Sequence, residues 1–259
     1  MVIEDIKVFQ VVGVERSGLH APMFSRYRGK PAWAMDIDSV EIKPINLTEV
    51  AGTMKKRNNL RIQQCNQLQQ EDQIINNEEF VINDRYRLAW CSIFKSASST
   101  WFYNFFLLAG FRRELLARSR STPVQFARET AYPRPSEYEL ATALRKNYTS
   151  FIIVREPFER ILSGYRDKIE ADVPFYRPLV CQIAGKLGKR KGCFATFSQF
   201  VDYIIEEIKN ENPLNEHWSP YSSFCSVCVI NYTFVLHFET LSEDESYLIQ
   251  QVRSTFPLL

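Results

Sequence analysis

Two groups of residues in this chain have the types and spacing to act on an anion, and a third carries an imidazole. The first is Trp90-Cys91-Ser92-Ile93-Phe94-Lys95-Ser96-Ala97-Ser98-Ser99-Thr100-Trp101, one lysine among small residues and hydroxyls. The second is Arg155-Glu156-Pro157-Phe158-Glu159-Arg160-Ile161-Leu162-Ser163-Gly164-Tyr165-Arg166, with Arg155 at its head and Ser163 further along. The third is Glu216-His217-Trp218-Ser219-Pro220. An ammonium, a planar guanidinium fork and hydroxyl donors suit phosphate or sulfate groups. An imidazole suits proton transfer near neutral pH.

These side chains need elements to hold them. Leu88 to Phe94 is an apolar run that predicts a short buried strand. Phe102, Phe105, Phe106 and Ala109 repeat at helical spacing, which predicts a helix over 99–109. Strand, small turn, then helix is the layout of an anion cradle: turn amides and the helix N-terminus point at one spot. Residues Ser96 to Thr100 would supply the amides, and Lys95 a full charge. The glycine-rich G-x-x-x-x-G-K-[ST] box is absent. The plainer alternative is a buried strand entering a helix, with Ser99 or Thr100 as N-cap.

Phe151 to Val154 is a second short apolar strand, and Pro157 suits the first turn of a helix. Phe158, Ile161, Leu162 and Tyr165 would form that helix's apolar face. Arg155 then stands at the strand's C-terminal end, where ligands bind in open α/β sheets. The alternative is a surface helix with Glu159 and Arg160 in ordinary ion pairs.

Together the motifs resemble the Golgi carbohydrate sulfotransferases, in particular the chondroitin and dermatan 4-O-sulfotransferases and their relatives. The resemblance spans roughly residues 85–250 and includes Glu216-His217-Trp218-Ser219-Pro220, Cys225-Ser226-Val227-Cys228, Tyr232 and Phe238-Glu239-Thr240-Leu241. It implies the sulfotransferase fold, an α/β domain with a parallel sheet of P-loop-NTPase type flanked by helices. It implies 3′-phosphoadenosine 5′-phosphosulfate as sulfate donor and no metal. The segment Lys95, Ser96, Ala97, Ser98, Ser99 and Thr100 would hold the donor's 5′-phosphosulfate. Arg155, Glu156, Pro157, Phe158, Glu159, Arg160 and Ser163 would form its 3′-phosphate site. Phe94 stands where the family usually has Pro, and Glu156 where it usually has Asp; both changes keep the charge pattern. The resemblance further implies a domain over 81–259 that is truncated at its C-terminus. Residues 1–80 would be an irregular stem with a short helix near 60–75. A Golgi membrane anchor would belong to the full-length protein but not to this chain.

Composition is compatible with a folded domain. The 259 residues are 45% apolar, and 32 Lys+Arg against 30 Asp+Glu leave a net charge of +2, which gives no global field for nucleic acid. Met1 to Lys7 is not a signal peptide, and the uncharged stretch between His217 and Phe238 carries Pro220 and no sustained apolar run. Cys65, Cys91, Cys181, Cys193, Cys225 and Cys228 permit three disulfides. Cys181 and Cys193 bracket a basic loop, Lys186 to Gly192, that would attract a polyanionic sugar chain or simply be solvated. Cys225-x-x-Cys228 could alternatively bind zinc or do redox chemistry. The sequons at Asn46, Asn147 and Asn231 lean towards a secretory lumen.

Elsewhere a helix is expected over 136–146, a loop over 121–136, a long connection over 172–193 and a strand over 232–238. A last helix is expected over 243–255. Thr196 to Gln199 resembles a capping box. Behind it, Phe197, Phe200, Val201, Ile204, Ile205 and Ile208 predict an inward stripe.

Sulfuryl transfer, like phosphoryl transfer, is mostly positioning and charge stabilisation. Lys95 would neutralise the leaving phosphate, and His217 would be the general base, with Glu216 the alternative base. The acceptor would be a glycosaminoglycan or glycoprotein glycan, such as the GalNAc 4-position of chondroitin or dermatan. The rivals are a P-loop kinase-like phosphotransferase and an inactive module that binds acidic glycans.

Overall fold

The structure is a computed structural model that describes residues 45–67, 75–112, 115, 122–185 and 192–255. The Lys186–Lys191 part of the basic loop and most of the basic run after Arg112 lie outside the described residues. In chain order the elements are α1 (Leu47–Gln67), β1 (Phe80–Asn83), β2 (Leu88–Cys91), α2 (Ser98–Leu108), α3 (Pro123–Thr130), α4 (Glu137–Arg145) and β3 (Thr149–Val154). Then come α5 (Pro157–Gly164), a π-helical turn (Tyr165–Glu170), a 3-10 turn (Pro174–Tyr176), α6 (Arg177–Ile183) and α7 (Phe197–Lys209). Last are β4 (Phe234–His237) and α8 (Leu241–Thr255). Among the described residues, 45–154 and 221–255 form one compact unit and Arg155–Pro220 a second.

The first unit is built on one sheet of order β1-β2-β3-β4. β2, β3 and β4 are parallel, with Cys91 opposite Ile152 and Phe151 opposite Phe234. β1 is antiparallel to β2, an edge strand that apolar periodicity did not single out. Phe151 and Ile153 face one core and Ile152 the other, as a period of two requires. Both faces are therefore covered, which is why the central strands are continuous apolar runs. On one face Trp90 stacks on Phe105 (centroids 5.4 Å apart) and Trp101 meets Phe151 (4.9 Å). On the other, Phe80, Leu140, Tyr232 and Val235 pack around the Cys91–Cys225 disulfide.

Helix α1 begins at Leu47, well before the position expected from Leu60 onward. Only Val50 and Met54 on it are buried. Its docking stripe continues in polar residues at the same spacing. Arg57 pairs with Asp244 at 2.6 Å, Asn58 donates to the Tyr232 carbonyl at 3.0 Å, and Arg61 donates to the Val227 carbonyl at 2.6 Å. Cys65 closes the stripe in a disulfide with Cys228. Neither cysteine of the Cys-x-x-Cys pair is free, so the zinc and redox readings of that motif fall away.

Other expectations are corrected in detail. The loop over 121–136 contains α3, capped by Thr122 with Pro123 at its first position. The connection over 172–193 contains α6, and the Cys181–Cys193 disulfide closes its end. The strand over 88–94 stops at Cys91, that over 232–238 is Phe234–His237, and the last helix starts at Leu241. The capping boxes at Ser136 and Thr196 both form. On α7 the inward stripe is narrower than expected: Phe200 and Ile204 are buried, but Phe197, Ile205 and Ile208 are exposed.

Candidate functional site

The first candidate element is the turn between β2 and α2, in the first unit. Ser92 N–H donates to the Glu79 carbonyl at 2.9 Å, which fixes where β2 ends. Ser96 N–H donates to the Ile93 carbonyl at 3.2 Å, which closes the turn. Lys95 (φ 67°) and Ala97 (φ 62°) both take the left-handed conformation. For residues with a Cβ this costs on the order of 1 kcal/mol each. The chain thus makes a left-handed turn of the kind glycine usually forms, here without glycine. Such strain persists where the surroundings over-determine it, often at ligand sites.

Helix α2 begins at Ser98 with Ala97 as its N-cap, not Ser99 or Thr100. Alanine has no side-chain acceptor, so the first-turn amides receive no cap from it. The Ser96 hydroxyl is fully buried and has no hydrogen-bond partner among the described residues. A buried orphan hydroxyl beside a helix N-terminus and a lysine fits an anionic ligand group. Ser98 is buried, while Lys95, Ser99 and Thr100 are half-buried.

The second element opens the second unit. Arg155 directly follows Val154, the last residue of β3. β2 and β3 are parallel neighbours, so Lys95 and Arg155 follow strands whose C-terminal ends lie side by side in the sheet. Glu156 is the N-cap of α5, its carboxylate accepting from the Glu159 N–H at 2.7 Å, and Pro157 takes the first helical position. The Arg155 guanidinium lies 3.4 Å from the Glu159 carboxylate; the arginine side chain is 12% exposed and the glutamate 58%. An incoming anion would compete with that solvated carboxylate for the fork. Ser163 is half-buried two residues before the π-helical segment.

Two residues of this motif sit otherwise than expected. Phe158 is 79% exposed and is not part of the inward face. Arg160, expected in the 3′-phosphate site or else in a surface ion pair, is buried at 4% exposure and donates to the carbonyls of His217 and Ser219. Its fork holds the third motif in place. Gly164 serves the same loop: a Cβ there would lie 3.2 Å from the His217 carbonyl oxygen.

That third motif is a tight turn in which the Trp218 and Ser219 amides both donate to the Asn215 carbonyl, at 3.0 and 2.8 Å. Trp218 is buried edge-on against Phe200 at 5.1 Å. His217 Nδ1 lies 2.7 Å from Asn215 Oδ1 and 3.3 Å from Glu216 Oε1. The Glu216 carboxyl is held below its ordinary range chiefly by its hydrogen bond to His217, against the opposing effect of burial. It is therefore a carboxylate of low proton affinity, a poorer base than an imidazole. Tyr176 adds its hydroxyl 3.4 Å from Nδ1. Sequence reading missed Asn215 and Tyr176, for both lie outside the recognised motifs, Tyr176 in a connection and Asn215 just before the Glu216-His217 turn.

His237 plays a different part. It ends β4, and its backbone N–H donates to Asp244 at 2.8 Å. Burial, aided by Arg57, lowers its imidazole's proton affinity. Among the described residues no cluster of His, Cys, Asp and Glu could hold a metal ion.

The sequence profile of the sulfotransferase family matches residues 78–255, covering both candidate turns and the His217 loop. This chain belongs to the sulfotransferase family. It is 29% identical over 190 residues to human carbohydrate sulfotransferase 8, a match covering 68% of this chain and 44% of the relative. It is 31% identical over 186 residues to mouse carbohydrate sulfotransferase 11, covering 67% of this chain and 52% of the relative. Human carbohydrate sulfotransferase 14 is 30% identical over 179 residues, with 67% and 46% covered. The chain spans about half the length of these curated relatives. No solved structure gives a significant match.

Proposed function

We propose that the protein is a carbohydrate O-sulfotransferase that moves sulfate from 3′-phosphoadenosine 5′-phosphosulfate to a glycan hydroxyl. The acceptor proposed is the GalNAc 4-position of chondroitin or dermatan. The observation that carries this reading is the β2–α2 turn: a left-handed Lys95, a buried Ser96 hydroxyl without a partner among the described residues, and a helix start whose N-cap Ala97 offers no side-chain acceptor. Lys95 and the amides of Ser96 to Thr100 would bind the 5′-phosphate and stabilise charge developing there. Arg155 and Ser163 would bind the 3′-phosphate, with Glu156 and Glu159 shaping that arginine's surroundings. His217 would accept the proton of the attacking hydroxyl.

The three disulfides support maturation in an oxidising compartment, and the reading places the full-length enzyme in the Golgi lumen. Among the described residues no helix is long and apolar enough to cross a membrane.

The test is transfer of labelled sulfate to desulfated chondroitin and dermatan, alongside calorimetry with 3′-phosphoadenosine 5′-phosphate and ATP. Preference for the former nucleotide with transfer supports the reading. Preference for ATP would favour a phosphotransferase, and glycan binding without nucleotide binding an inactive module.

A further inference from the structure

Nδ1 of His217 is surrounded by oxygens. Asn215 Oδ1 lies at 2.7 Å, Glu216 Oε1 at 3.3 Å and the Tyr176 hydroxyl at 3.4 Å. The identity of the Asn215 atom follows from a second bond. The backbone N–H of His217 donates to that same Oδ1 at 3.1 Å, and an N–H can only donate. An amide oxygen has no proton to give, so the short contact requires the proton on Nδ1. The Tyr176 phenol stays protonated, its pKa pushed up to about 12 by burial and then by Glu216, and it also hydrogen-bonds the Asn215 side chain. Around this group stand further charges. Lys168 acts on Glu216, Asp167 acts on Tyr176, and Arg160 donates to the His217 carbonyl.

We infer that Asn215, seconded by Glu216, fixes His217 as the Nδ1–H tautomer and thereby makes Nε2 the proton-accepting atom of the transfer reaction. Asn215 is a positioning residue in this scheme. The inference rests on the sulfotransferase reading. The proton balance is simple. The acceptor O–H bond breaks and its proton goes to Nε2. The freed oxygen pair forms the new O–S bond, and the S–O bond to the donor phosphate breaks with its pair leaving on that phosphate. The imidazolium so formed keeps Nδ1–H on Asn215 Oδ1, and the nearby Glu216 carboxylate stabilises its charge. The same division of labour holds wherever a carboxylate or amide orients a histidine base from behind. Loss of that orientation leaves a mixture of tautomers in which only one has its lone pair on Nε2.

The experiment is nitrogen NMR on the full chain labelled with ¹⁵N-histidine, at a pH where the imidazoles are neutral, with the His217 signals identified by their loss in His217→Gln. The parent should show a protonated Nδ1 and a bare Nε2. Asn215→Asp, which keeps the acceptor oxygen, should retain that pattern, and Asn215→Ala should average the two nitrogens. In steady-state transfer Asn215→Ala should lose about tenfold to a hundredfold in kcat with donor KM little changed, and Asn215→Asp should recover most of it. A protonated Nε2 in the parent, or an Asn215→Ala variant with parental ring signals and kcat, would overturn the inference. Transfer at the parental rate by His217→Gln fails separately: it would remove His217 as base, and with it the role given to Nε2, whatever the tautomer.

Discussion

The Trp101 indole N–H donates to Glu245 Oε1 at 2.6 Å inside the first unit's core. Both residues are buried, and burial pushes the Glu245 carboxyl up to about 8, with the Trp101 hydrogen bond opposing and Asp244 adding to the rise. The carboxyl is therefore neutral in the folded protein near pH 7, while in the unfolded chain it ionises near its ordinary value. Between those two values the folded state binds the extra proton, so stability is fully present below about pH 4.5 and declines as pH rises towards 8. Glu245→Gln keeps the acceptor for Trp101 and removes the titration. The variant should match or exceed the parent at pH 8, by a gain on the order of a few kcal/mol, and the gain should shrink towards pH 5. Urea unfolding at both pH values measures it. An unchanged pH slope would mean that Glu245 does not titrate in this range.

Arg57 and Asp244 provide a second test of the same unit. The pair lies at 2.6 Å, with side chains 14% and 3% exposed. Asp244 also accepts from the His237 N–H and the Thr240 hydroxyl. Arg57→Met would leave that carboxylate buried without its cation, so a loss of about 3 kcal/mol is expected. Arg57→Met/Asp244→Leu should recover part of it. Equilibrium unfolding of the two variants decides the point; a loss below about 0.5 kcal/mol would class the pair with solvated surface ion pairs.

This pair also marks where the sequence became hard to read. The parallel strands were legible because both sheet faces are covered and their residues form unbroken apolar runs. Helix α1 was not, because the face that docks carries Arg57, Asn58 and Arg61 where a pattern search expects Leu or Ile. The surface ion pair weighed for Arg160 gives way to a buried place for a related reason: a charged residue normally faces solvent, yet here two backbone carbonyls take its fork. The β2–α2 turn was recognisable from its small residues and lysine. Its left-handed backbone at Lys95 and Ala97 was not, since neither residue favours that region.

Lys95 and Arg155 should respond differently to truncation if the proposed donor roles hold. Arg155→Ala removes a mostly buried guanidinium, and binding of 3′-phosphoadenosine 5′-phosphate should weaken by about 2–4 kcal/mol. Lys95→Ala should mainly lower kcat, because its charge counts most as the leaving phosphate develops. Calorimetry and steady-state transfer on both variants separate the two effects. Parental nucleotide affinity in Arg155→Ala would reduce the second motif to a surface helix.

Gly164 gives the sharpest test of how rigidly His217 must be held. Glycine to alanine at a helix end with ordinary backbone angles normally stabilises by about 0.4–1 kcal/mol through the unfolded chain. Here the added Cβ would meet the His217 carbonyl oxygen at 3.2 Å and Trp218 Cε3 at 3.7 Å. The carbonyl cannot swing away freely, because Arg160 donates to it and to the Ser219 carbonyl beyond. The two effects on stability oppose each other, so the melting temperature of Gly164→Ala should stay near the parent's. The His217 backbone should shift by a few tenths of an ångström, and if the proposed base role holds, displacing the imidazole from the acceptor hydroxyl should lower the rate steeply. A several-fold fall in kcat at unchanged nucleotide affinity is expected. If kcat and melting temperature both match the parent, the loop yields to the methyl group, and its packing against Gly164 does not position the imidazole.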